Sequence, residues 1–186
     1  MSIALRQPMS LEAFLEWERG QDLAYEFDGF EPVAMTGGSV EHSEIATNIA
    51  VALRARLHGK PCRVIRGDVK ILAAGRVRYP NAVVTCTPIA AGSDILPEPV
   101  VVFEVLSPST AGTDRIAKNE EYRATPSILH YVMLEQTTQA ATMFSRVGDD
   151  WVGHVHTKAA ILAFPEIGVE LPLALLYEGI AFPPDQ

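Results

Sequence analysis

The chain has 186 residues, 48% hydrophobic and 20% charged, with a formal net charge of -8. That length and apolar content suit one domain, 1–186, with a sizeable core. The acidic balance excludes a protein that coats nucleic acid by charge alone. The apolar runs are too short to span a membrane, and no charged-then-apolar leader opens the chain, so a cytoplasmic protein with no membrane partner is expected. Cys62 and Cys86 are too few for a disulfide framework and lack metal-ligand spacing; reduced residues near strand ends are expected.

Ser10 is placed to cap a helix from Leu11 to about Arg19, which Gly20 stops. A hairpin should follow, Tyr25-Glu26-Phe27 against Phe30 to Met35, through a two-residue Asp28-Gly29 turn. Ser39 can cap a long helix from Val40 to His58. Its Ile45, Ile49, Leu53 and Leu57 recur every four residues along one stripe.

A second hairpin is read from Cys62 to Leu72 and Val77 to Cys86. If its loop holds two or four residues, Leu72 faces Val77, and the same register sets Asp68 across from Asn81 with Lys70 on that face. A slip of one residue would turn Asp68 away.

The run Val100 to Leu106 reads as a central strand, with Glu104 its one polar residue. Thr113 can cap a helix from Asp114 to about Ala124, ended by Pro126. Strands are expected near His130–Glu135, Ala140–Ser145 and Trp151–His156, then a short helical pattern at Pro172–Tyr177. His154 and His156 share a strand face without a third ligand nearby, which suits exposed histidines. The apolar C-terminal segment could also build a homodimer. Helices alternating with strands give an α/β domain with a mixed β-sheet flanked by helices, after an N-terminal β-hairpin.

Charge is unevenly spread. Residues 1 to 53 hold nine acids and two bases, whereas Arg54 to Arg78 hold eight bases and one acid. That basic segment could form a groove on an acidic body, or its arginines could pair with the N-terminal acids.

Glu104 is the main chemical clue, because a carboxylate in a core strand must be neutralised, paired or metal-bound. A carboxylate here, and Asn81 after Tyr79-Pro80 on another strand, outline a divalent-metal site. The alternative is a Glu at an exposed strand end, paired with an Arg.

Several motifs together carry a resemblance: Tyr25 to Gly29, Met35 to Ser39, Glu41-His42-Ser43, Arg78-Tyr79-Pro80, Phe103 to Thr110, and Asp114-Arg115 with Lys118 and Tyr122. From about Leu11 to Glu135 the chain resembles the Uma-two family. The resemblance implies a restriction-endonuclease-like fold of the PD-(D/E)-x-K nuclease type and a DNA endonuclease that uses Mg²⁺, with Mn²⁺ as a substitute. It implies Glu104 as metal ligand and Lys118 as the lysine beside the attacking water, since Leu106 stands where the superfamily's lysine usually sits. Lys70 is the substitute that the hairpin geometry suggests. The family usually has Asp at the position of Asn81, a weaker ligand for Mg²⁺. Asp68 could restore the missing charge, and Glu44 or Glu41 could add to it. His42 matches a family motif, or is a helix-terminal His bonded to backbone. Asn81 and Leu106 leave room for a second reading, a catalytically inactive nuclease-fold protein acting as a binding or regulatory module.

Overall fold

The computed structural model describes residues 8–35, 37–67, 69–107 and 111–182. Asp68, expected to face Asn81, lies outside the described residues. Helix α1 (Leu11–Glu18) is capped by Ser10, whose side chain accepts from the Ala13 N–H. The first hairpin, β1 (Tyr25–Phe27) and β2 (Pro32–Ala34), pairs Phe27 with Pro32. Its connection is four residues long, not the expected two. Asp28 Oδ1 accepts from the N–H groups of both Phe30 and Glu31, so a side-chain turn replaces the tighter backbone one.

Helix α2 (Val40–Leu57) begins at Ser39, whose Oγ accepts from the His42 N–H. Ile45, Ile49, Leu53 and Leu57 are all buried, each burial being worth about 1.5–3 kcal/mol. They pack on a six-stranded sheet ordered β10-β9-β8-β7-β6-β3. It comprises β3 (Arg63–Ile65), β6 (Ala82–Thr85), β7 (Pro99–Val105), β8 (His130–Leu134), β9 (Ala140–Val147) and β10 (Asp150–Thr157). Only β7 and β8 run parallel, so the sheet is mixed. Among the described residues no helix is long and apolar enough to cross a membrane.

The second hairpin divides between two sheets. At its tip, β4 (Ile71–Ala73) and β5 (Arg76–Arg78) keep the expected register, with Leu72 opposite Val77. They join β1 and β2 in a four-stranded sheet ordered β2-β1-β5-β4. At its base, β3 and β6 pair Arg63 with Thr85 and Ile65 with Val83, one residue out of step with the tip. Gly67, at φ 104, lies between the two registers in a conformation other residues avoid. No single ladder therefore runs the length of the hairpin.

The base register sets Cys62 and Cys86 opposite each other, and they are disulfide-bonded. Reduced cysteines were expected from their number alone; strand register is what brings them together.

After β7, the chain does not wait until Asp114 to turn helical. Helix α3 (Ala111–Thr113) leads into a π-helical turn, Asp114–Lys118, and α4 (Asn119–Arg123). Thr113 is itself helical and makes no side-chain cap. The Tyr131 hydroxyl donates to the Asp114 carbonyl, helping to hold the wide turn.

A two-stranded sheet, β11 (Ile161–Phe164) and β12 (Val169–Pro172), and α5 (Leu173–Leu176) complete the described chain. Leu171, Leu173, Leu176 and Tyr177 are buried in the core over α2, so the apolar C-terminal segment that suggested a dimer serves the chain's own interior.

Candidate active site

Alternation along β7 sends Val101, Phe103 and Val105 toward α2, and Val102 toward Tyr122, Tyr131 and Met133 on the other face. Glu104 belongs to this second face. It is 4% exposed, so it is no surface Glu at a strand end. Its Oε1 accepts from Lys118 Nζ and from the Tyr122 hydroxyl, both at 3.0 Å.

Lys118 is the hub. Its Nζ lies 3.0 Å from Glu26 Oε1, 3.0 Å from Glu104 Oε1 and 3.1 Å from Asp114 Oδ1. The π turn widens the helix so that Asp114 and Lys118 both reach this point, a distortion that recurs at functional sites. Burial alone would lower the Lys118 ammonium, but Glu104, Glu26 and Asp114 outweigh it and hold the group above its ordinary range.

A second layer braces the first. Arg78 makes two 2.7 Å bonds to Glu121 and a third, at 3.0 Å, to Glu26. Glu26 also accepts from the Tyr79 N–H. Arg76 stands 3.6 Å from Glu121. Glu26, Glu104, Asp114 and Glu121 thus face Lys118, Arg78 and Arg76, an excess of one negative charge. Burial raises the Glu104 carboxyl to about 7, with Lys118 opposing the rise and Asp114 and Glu26 adding to it.

These groups, Arg76 apart, line a cavity of about 670 Å³ that also meets Asn81, His42, Gly38 and Ser107. Asn81 Oδ1 accepts from the Val105 N–H at 2.7 Å, holding β7 at its carboxyl end. His42 reaches the cavity from the first turn of α2. Burial lowers its pKa, the Val105 backbone and Asp114 oppose that, and Arg66 adds to it. A Cβ on Gly38 would sit 2.6 Å from His42 Nδ1, so only glycine admits the ring in this position.

The remaining expected residues lie elsewhere. Lys70 pairs with Glu18 and, at 2.9 Å, with Asp94, and it does not line the cavity. Glu44 lies beside Gly179, and Glu41 is exposed. Conversely, Glu26, Asp114, Arg78 and Glu121 are cavity residues whose roles sequence reasoning passed over, although the Asp114 to Lys118 spacing and the Glu inside Tyr25-Glu26-Phe27 were visible.

Oxygen donors suit a hard cation such as Mg²⁺, which is held by one or two carboxylates with water and substrate phosphate completing its shell. Asp114 Oδ1 is buried and makes no hydrogen bond among the described residues, its contact with Lys118 lying off the bonding direction. With Glu104 and the negative excess, it fits such an ion. No group of three or more His, Cys, Asp or Glu among the described residues is arranged to hold one, so the described residues supply at most part of the shell there.

Residues 11–174 match the family described as "Uma2: Putative restriction endonuclease". The chain is 30% identical over 178 residues to the Synechocystis sp. protein slr1290, covering 94% of each. It is 23% identical over 154 residues to sll1609 of the same organism, covering 80% of this chain and 87% of that one. Among solved structures it resembles one titled a putative nuclease belonging to DUF820, from Anabaena variabilis. The TM-score is 0.77 at 16% identity, over 94% of this chain and 100% of that one, so the two share a restriction-endonuclease-like fold.

Proposed function

The chain belongs to the Uma2 family, and from that premise we propose that it is a Mg²⁺-dependent endonuclease hydrolysing phosphodiester bonds of DNA. The observation that carries this reading is the pairing of Glu104 with Lys118 at 3.0 Å, both buried, against a cavity large enough for a nucleotide.

Glu104 and Asp114 would hold the ion, with Asp68 a further expected ligand and Mn²⁺ an acceptable substitute. Bound there, the ion would supply an activated water and would shield the charge that develops on the phosphate. Lys118 keeps its proton and stands where an anionic oxygen needs a counter-charge. Asn81 positions the end of β7 through Val105. His42, held toward its neutral form, can accept a proton at the cavity wall. Arg78 acts through others, fixing Glu26 and Glu121. We take 1–186 as one catalytic domain. We take its compartment to be the cytoplasm, where DNA would meet it.

The test is cleavage of plasmid DNA with Mg²⁺ or Mn²⁺ by the natural chain, Glu104→Gln and Lys118→Met. Loss of cleavage by roughly 100-fold or more in both variants is expected, as for removal of one electrostatic stabiliser. Activity unchanged in Glu104→Gln would refute the assignment.

One observation favours a second reading, a catalytically silent binding module. Asn81 spends its oxygen on the Val105 N–H, leaving that acceptor committed to structure. Asn81→Asp decides between them. Metal binding that appears in calorimetry only with this substitution supports the silent module; binding already present in the natural chain supports the enzyme.

A further inference from the structure

The basic segment separates in space into two groups. Lys70, Arg76 and Arg78 pair with Glu18, Asp94, Glu121 and Glu26. Arg54, Arg56, Lys60, Arg63 and Arg66 make no ion pair with a carboxylate among the described residues. Four of these five are exposed.

The unpaired group is ordered along the molecule. Arg54, His58, Lys60 and Arg63 line a second cavity, about 420 Å³, where α2 ends and the edge strand β3 begins. Arg66, just past the other end of β3, bonds Ser43 at 3.4 Å, beside His42 and the catalytic cavity. Some of this charge answers the carbonyl end of α2, which favours cations within its last turn. That effect does not explain Arg63 and Arg66, which stand on and beyond β3. From His42 to Leu57 the helix rises roughly 22 Å at 1.5 Å per residue. A DNA strand presents about six phosphates over that length, at ~3.4 Å each.

We propose that Arg54, Lys60, Arg63 and Arg66 form a phosphate-binding track that seats one strand of duplex DNA along α2 and β3 and feeds it to the catalytic cavity. This rests on the endonuclease reading for its ligand. It also explains how an acidic protein engages a polyanion: the binding charge gathers on one edge, while Lys70, Arg76 and Arg78 of the same segment are answered by carboxylates.

The test is fluorescence anisotropy with a labelled DNA duplex in EDTA, which prevents cleavage, across about 50 to 200 mM salt. Arg54→Glu/Arg63→Glu, both exposed and outside the catalytic cavity, should weaken binding at least about tenfold. It should also flatten the salt dependence by about two in slope, near 0.9 for each lost phosphate contact. Circular dichroism checks that the double variant folds, and Arg54→Gln/Arg63→Gln replaces it if it does not. Hydrolysis of bis(p-nitrophenyl) phosphate with Mn²⁺ reports the catalytic cavity alone, and the double variant should keep it. Wild-type affinity and slope in the variants, or no binding of duplex by the natural chain, would overturn the track while leaving Glu104-dependent hydrolysis as support for the enzyme. Binding through the track with no hydrolysis would uphold the track and remove the enzyme.

Discussion

At the scale of single residues, Glu104 carries the clearest consequence. Its carboxyl is raised from 4.5 to about 7 by burial. The folded chain therefore binds this proton more tightly than the unfolded chain does. The advantage is full below the unfolded value and is lost as pH rises through about 7. Glutamine cannot titrate. The stability of Glu104→Gln relative to the natural chain should accordingly improve between pH 5 and pH 8, measured by urea unfolding in metal-free buffer. A difference that stays flat with pH would show that Glu104 is not raised. Glu104 stood out in the sequence because it interrupts an apolar run, and Lys118 because a motif marked it. Glu26 and Asp114 did not stand out, since a polar residue in a short hairpin strand or a helix's first turn is ordinary. What makes them part of the site is burial around Lys118, which only the tertiary structure creates.

At the scale of elements, the site is a junction of β1, β5, β7 and the π turn, and Arg78 is its rivet. It is 2% exposed and joins Glu26 on β1 to Glu121 on α4. Removing one partner of a buried charge network leaves the other charges uncompensated, at a cost of about 3–5 kcal/mol. Arg78→Ala should lose that much in urea unfolding at neutral pH, whereas Arg78→Met/Glu121→Gln should lose less, because the unpaired carboxylate goes too. Equal losses would mean that the carboxylate left behind by Arg78→Ala carries no penalty. Helix α2 was legible end to end, because its apolar stripe and Ser39 cap agree with its packing. The second hairpin was legible only at its tip. Its base shifts by one residue after Gly67, and β5 leaves β6 to pair with β1 through Phe27 and Val77. Neither event has a local signature in alternation, because each serves a different sheet. The π turn was hidden for a similar reason: Thr113 looks like a cap, and what favours the wider coil is tertiary, the pull of Lys118 toward three carboxylates and the Tyr131 bond to the Asp114 carbonyl.

At the scale of the whole molecule, the disulfide and the track occupy the same edge. Cys62 sits between Pro61 and Arg63 in the lining of the basic cavity, and its bond to Cys86 ties edge strand β3 to β6. The bond closes a loop with a sequence separation of 24 residues. Restricting the unfolded chain over such a loop stabilises the fold by about 3–4 kcal/mol in the chain-entropy account. At about 2–4 °C per kcal/mol for a chain of this size, reduction should lower the melting temperature by roughly 6–16 °C. Thermal melts with and without reductant, and of Cys62→Ala/Cys86→Ala in both buffers, measure it; the variant should ignore reductant. Catalysis should respond differently. Glu104 and Lys118 lie near the opposite end of α2, held by ion pairs that no thiol touches, so the rate on bis(p-nitrophenyl) phosphate at 25 °C should not change on reduction. A drop in rate without a drop in melting temperature would reverse that separation, making the disulfide a part of the cavity's geometry and not of the fold's stability.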